Sequence, residues 1–187
     1  DLALGHDINE DGEIVSYSYF VSLILKVYRE NLSDDAFDVF ARLLEATEMV
    51  EEWCARPENA QSYPPTIFNI TDGEASDGDH ADITEICDRL RSCSTADGNA
   101  LLINIHLATS ADQRSILFPA SMQELGENYY ARLLYECASE MPANYAPAIA
   151  SLRGESVATR YRGMSFNTSI GEVIAMMNIG SISLNVI

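Results

Sequence analysis

The sequence predicts an α/β domain with a mostly parallel central sheet and helices on both of its faces. Three observations carry this prediction. The runs Thr66–Thr71 (TIFNIT) and residues 100–107 (ALLINIHL) are too apolar throughout for strands with one wet face, and suit strands covered on both sides. Segments with helical spacing and helix-start signals separate such runs. The resulting order is strand then helix, four times over, the alternation that crossover-connected parallel sheets require.

The elements follow in turn. Residues 2–16 are polar and Gly-punctuated, and read as a loop or hairpin. Residues 17–27 (YSYFVSLILKV) read as a strand. Ser33, Asp34 and Asp35 open a helix, Ser33 as N-cap and the aspartates at the positive end of the dipole. Its apolar stripe is Phe37, Phe40, Leu44, Met49 and Trp53, and it stops before Pro57. A strand over residues 64–71 follows, then a helix over residues 81–93. Residues 94–99 (STADGN) are turn chemistry, and residues 100–107 a buried strand. Ser121 and Glu124 form a capping-box pattern opening a helix that reaches Glu140. Pro142 and Pro147 break the next stretch. A short strand over residues 161–166 precedes a second capping-box pattern, Ser169 and Glu172, and a last helix through Met177.

The 187 residues suffice for one well-buried domain, and no linker, repeat or low-complexity tract divides them, so a single domain over residues 1–187 is expected. The chain begins at Asp1 without a methionine, as a fragment or a chain lacking N-terminal segments would. Its 29 acidic against 11 basic residues give a formal charge of -18. That balance argues against nucleic acid and against anionic membrane surfaces, and fits cations or basic partner surfaces. No apolar run approaches the 18 or so residues of a membrane span, and no signal peptide is visible. Cys54, Cys87, Cys93 and Cys137 form no CxxC pair and read as reduced, packed thiols of a cytoplasmic protein.

The chemistry concentrates after the TIFNIT strand. Asp72, Glu74, Asp77 and Asp79 fall within eight residues, spaced by Gly73 and Gly78. Hard oxygen donors at the carboxyl end of a buried strand suit a divalent cation. Two other patterns compete less well. Residues 7–14 (DINEDGEI) match the first eight positions of an EF-hand loop, but its twelfth position is Ser18 rather than Glu, and a solvated hairpin is the better reading. Among the three histidines, His6, His80 and His106, His80 adjoins the acidic cluster and His106 reads as a satisfied core residue sharing a strand face with Asn104. Arg160 and Arg162 could bind an acidic partner, but a solvated or salt-bridged structural role is the better reading. P-loop, GxGxxG, GxSxG and HExxH signatures are absent, which favours a non-enzymatic role. The alternative is a divalent-metal hydrolase, phosphatase or nuclease in type, using Asp72, Glu74 and Asp77, with His80 as a further candidate.

The stretches PPTIFNITDGEASDGD, STADGNALLINIHL, LFPAS and RGMSFNTSIGEVIAMMNIGS together resemble the von Willebrand factor A family, in its bacterial cytoplasmic form. The resemblance covers about the last two thirds of the chain. It implies a doubly wound, Rossmann-like fold with a metal-ion-dependent adhesion site at the top of the sheet, where Mg²⁺ grips a carboxylate of a partner protein. Carried over, Asp72 matches the aspartate ending the family's central strand, and Glu74 and Asp77 lie in the same loop. The family's Asp-x-Ser-x-Ser motif, with the first strand that precedes it, is missing, as is its lone threonine, since Thr47 lies too deep in a helix. The resemblance thus implies an incomplete metal site. It also implies a gap in the sheet, to be filled by residues absent from this chain, by residues 2–4 or by a partner's strand. The function expected is a protein–protein interaction module in a bacterial multiprotein complex.

Overall fold

A computed structural model of the chain describes residues 4–8, 14–19, 22–26, 39–71, 80–108, 114–158 and 160–180, with side chains from Arg42 onward. Strands β1 (Leu4–Ile8) and β2 (Ile14–Tyr19) pair antiparallel as a hairpin. Then come β3 (Ser22–Lys26), α1 (Val39–Ala55), β4 (Thr66–Thr71) and α2 (His80–Ser92). A small hairpin, β5 (Ser94–Thr95) with β6 (Gly98–Asn99), leads to β7 (Leu101–Leu107). The chain continues through β8 (Ile116–Leu117), α3 (Tyr129–Cys137), α4 (Ala146–Arg153), β9 (Met164–Thr168) and α5 (Ile170–Gly180).

The central sheet has the order β3-β4-β7-β9-β8. Its first four strands are parallel, and β8 adds a short antiparallel edge. Side-chain alternation along β4 and β7 divides the interior in two. Ile67 and Leu102 pack with Leu43 and Val50 of α1, Ile86 and Leu90 of α2, and Leu134 of α3. Phe68, Ile103 and Ile105 pack with Ile149 of α4 and with Val173, Met176 and Ile179 of α5. The fold is therefore α/β, with α1, α2 and α3 on one face of the sheet and α4 and α5 on the other. Both ladder neighbours of β4 are in place, so no vacancy separates the described strands β3, β4 and β7.

Several expectations change. Among the described strands the expected gap is not there, because β3 pairs directly with β4; nor does Leu4 fill one, since it pairs with Tyr19 in the hairpin. The single strand expected over residues 17–27 is two strands in two different sheets, parted after Tyr19. The flanks of the EF-hand-like stretch are strands, with Asp7 opposite Ser16, in keeping with the hairpin reading. In α1 the inward face is Leu43, Ala46, Thr47 and Val50, whereas Met49 is exposed. The stripe expected through Leu44 and Met49 steps by five residues, which drifts off a helix face; the true face keeps steps of three and four. The start of α1 expected at Ser33 lies outside the described residues.

The Ser121–Glu124 capping box does form, with Glu124 accepting from the Ala120 and Ser121 backbone N–H groups. It heads only a 3₁₀ turn, Met122–Leu125, because Gly126 turns the chain with φ 60°. A second start, the Asn128 side chain accepting from the Ala131 N–H, then opens α3. Pro147 occupies the first turn of α4, where a missing N–H costs nothing, so it begins a helix instead of breaking one. Arg153 closes this region by donating to the Leu117 and Phe118 carbonyls and pairing with Glu124 at 2.7 Å.

The α5 face of the sheet has little room. A Cβ built on Gly180 would lie 2.7 Å from Cζ of Phe68 and 3.0 Å from Cδ1 of Ile103, both fully buried. Gly180→Ala is therefore expected to destabilise the protein by about 1–3 kcal/mol despite the better helix propensity of alanine. Urea unfolding reads this as a lower midpoint with an unchanged slope.

Candidate functional site

The carboxyl ends of the parallel strands define one edge of the sheet, the edge at which α/β folds bind ligands. Register places Thr71 of β4 beside His106 of β7, and Leu107 of β7 beside Thr168 of β9. The acidic loop starts one residue after Thr71 and ends at His80, the first residue of α2. The predicted ligands Asp72, Glu74 and Asp77, and Asp79 with them, lie outside the described residues. Both anchors of their loop are defined: a buried threonine on a central strand and the first turn of a helix.

A polar file runs up the α2 face of the sheet towards this edge. Asn69, Thr71, Asn104 and His106 are all buried there. Asn69 Nδ2 donates to Asn104 Oδ1 at 3.0 Å, and Asn104 Nδ2 donates to the Leu134 carbonyl at 2.9 Å. This chain of amides ties β4 to β7 and both to α3. His106 behaves as the satisfied core residue expected. Its Nδ1 accepts the Asn167 N–H at 3.4 Å, and its ring stacks on Phe166 at 4.4 Å with an edge contact to Tyr130 at 5.8 Å. The ladder shifts register between Ile105 and Leu107, and Asn167 adopts φ 54°, a left-handed conformation that asparagine tolerates well. Thr168 Oγ1 donates to Ser165 Oγ at 2.6 Å, satisfying two more buried hydroxyls.

α2 is fastened to α3 along one stripe, His80, Thr84, Cys87 and Arg91. His80 Nε2 lies 3.2 Å from Glu136 Oε2, both about two-fifths exposed, and its ring lies 5.6 Å from that of Tyr129. Thr84 Oγ1 donates to the His80 carbonyl. Arg91 donates to the Glu136 and Ala138 carbonyls, either side of Cys137. Between these ties Cys87 meets Cys137. The partnership with Cys137, reinforced by burial, pushes the Cys87 thiol up. The partnership with Cys87, helped by the Arg91 charge, holds Cys137 down against the opposing effect of burial. A cavity of about 20 Å³ lies beside them, lined by both cysteines, Asn69, Asn104 and Tyr130 among others. That is room for one water-sized molecule.

Sequence reasoning found Asn104, His106 and His80 but passed over Asn69, whose signal was an amide inside an otherwise apolar strand. It also missed the Cys87–Cys137 contact, which no local spacing encodes. The four cysteines are free thiols, as expected. Arg160 pairs with Glu140 at 3.5 Å, and Arg162 donates to the Ala138 carbonyl over the Tyr135 ring. Thr47 is buried in α1, where its hydroxyl donates to the Leu43 carbonyl. Among the described residues, no group of three or more His, Cys, Asp or Glu side chains is disposed to hold a metal. No helix among them is long and apolar enough to cross a membrane. Comparison with protein-family models, with curated proteins and with solved structures gives no match.

The amide file has a measurable signature. Asn104→Leu strands the buried Asn69 amide and is expected to cost about 1–3 kcal/mol, because an unpaired buried donor loses its water without compensation. Adding Asn69→Leu removes the orphan and is expected to restore part of that loss. A double-mutant cycle by denaturant unfolding measures the coupling.

Proposed function

We propose that this chain is a von Willebrand A-like interaction module that binds Mg²⁺ with the acidic loop and recognises an acidic side chain of a protein partner. One observation carries the reading: the loop bearing Asp72, Glu74 and Asp77 leaves the carboxyl end of β4, a central strand of a mostly parallel sheet. Cation and anion sites of α/β folds gather at that edge because the crossovers leave a crevice there.

The donor chemistry fits the ion in kind. Asp72, Glu74 and Asp77 offer only carboxylate oxygens, the ligands a hard divalent cation prefers. Thr71 brings a hydroxyl to the same strand end, and His106 lies beside it in the ladder. A bound Mg²⁺ would supply an open coordination position for a partner's carboxylate oxygen. The chain's own part is to fix the two ends of the loop, Thr71 through the β4–β7 ladder and His80 through its contact with Glu136. With a formal charge of -18, the surface repels acidic partners at long range, so a cation is what would turn such a contact favourable.

Calorimetric titration with Mg²⁺ or Mn²⁺ tests this. Wild type is expected to bind one equivalent, and Asp72→Ala to weaken it by about tenfold or more, equal to 1.4 kcal/mol or more. Affinity that survives Asp72→Ala removes the metal assignment. Asp72-dependent turnover of phosphate esters or nucleic acid would instead make the chain a hydrolase.

A further inference from the structure

The four cysteines all lie in the α1–α2–α3 layer, but they are not equivalent. Cys54 and Cys93 are half-buried at the far ends of α1 and α2, whereas Cys87 and Cys137 are buried against each other on facing sides of α2 and α3. Cys87 and Cys137 both line the same small cavity and sit in the same buried cluster. One neighbour favours the thiolate of Cys137: the Arg91 guanidinium, whose charge lies close by and which donates to the carbonyls on either side of it. Reactive thiols are set apart by such donors and positive charge, and sensor thiols by a second cysteine within reach. Burial alone would make the pair inert. The partly open cavity of about 20 Å³ that both cysteines line gives a small oxidant an approach.

We propose that Cys87 and Cys137 form a peroxide-sensitive thiol pair that closes to a disulfide and locks α2 to α3. Hydrogen peroxide is the oxidant. The Cys137 thiolate attacks one peroxide oxygen, the O–O bond breaks, and hydroxide leaves, giving the Cys137 sulfenic acid. Cys87 sulfur then attacks the Cys137 sulfur; the S–O bond breaks and water departs with the Cys87 proton. Two thiols are oxidised and one peroxide is reduced to two waters. The bond forms between the His80–Glu136 and Arg91–Ala138 ties, so it completes a fastening already made at both ends. It fixes the helix into which the acidic loop runs, and it requires no metal at that loop.

The test treats the full chain with hydrogen peroxide under native conditions, alkylates it after denaturation, and maps the peptides without reduction. The expected result is loss of two of the four thiols, a Cys87–Cys137 cross-linked peptide, and full reversal by dithiothreitol. Cys87→Ser is expected to leave a dimedone-trapped sulfenic acid on Cys137, and Cys137→Ser to leave Cys87 unmodified. The proposal is overturned by a Cys54–Cys93 link in place of this one, by over-oxidation of Cys137 without a link, or by thiol loss that occurs only once the chain is unfolded in urea. The wild-type map decides the matter even where a serine variant fails to fold.

Discussion

Everything in this fold hangs on the parallel ladder between β4 and β7. Six residue pairs, Thr66 with Leu101 through Thr71 with His106, bring two runs of buried residues into register. Each step serves a different face. Ile67 and Leu102 seed the interior beneath α1, α2 and α3, whereas Phe68 and Ile103 seed the interior beneath α4 and α5. Full burial of such side chains contributes about 1.5–3 kcal/mol each, so these four weigh heavily in a net stability of about 5–15 kcal/mol. The ladder also carries the Asn69–Asn104 hydrogen bond. A register slip of one residue would turn those amides into the opposite, largely apolar interior, where their desolvation would go unmatched. The amide pair therefore contributes more to uniqueness of register than to net stability.

The same ladder decides where chemistry can sit. Apolar residues fill its amino-terminal part and polar ones its carboxyl-terminal part: Asn69, Thr71, Asn104 and His106 on one face. At the opposite edge backbone bonds tie the connections together, as where the Leu101 N–H donates to the Pro65 carbonyl and the Ala96 N–H to the Ala60 carbonyl. The acidic loop emerges at the polar end and returns at once into α2. That helix is held to α3 by His80, Thr84, Cys87 and Arg91, spaced at the three- and four-residue steps that share a helix face. Both the strand before the loop and the helix after it are thus anchored from the same side of the sheet.

Sequence patterns made the central strands legible because β4 and β7 are short, continuous apolar runs bounded by Pro64, Pro65 and turn residues, a pattern with few readings. Capping boxes at Ser121 and Ser169 were legible for the same local reason, and both form. What failed depended on contacts far along the chain. The face of α1 is set by what it packs against, so a stripe chosen from one helix alone came out rotated. The extent of the Ser121 turn was decided by Gly126 in a left-handed bend, and the role of Pro147 by its place in a first turn. Of the candidate site, the strand end at Thr71 and the helix start at His80 were legible, since each is a local signal. The partners Asn69–Asn104, Cys87–Cys137 and His80–Glu136 were not, since each joins residues dozens of positions apart.

In the proposed function, the carboxyl edge of this sheet would hold one specific cation rather than a diffuse cloud around an acidic surface. Paramagnetic broadening of backbone amide signals by substoichiometric Mn²⁺ tests it most directly. A specific site is expected to give selective loss of the Thr71, His80 and His106 amides, abolished by Asp72→Ala, with Thr95 and Gly98 at the opposite edge unaffected. Broadening spread evenly over exposed acidic helices, and unchanged in Asp72→Ala, would contradict it.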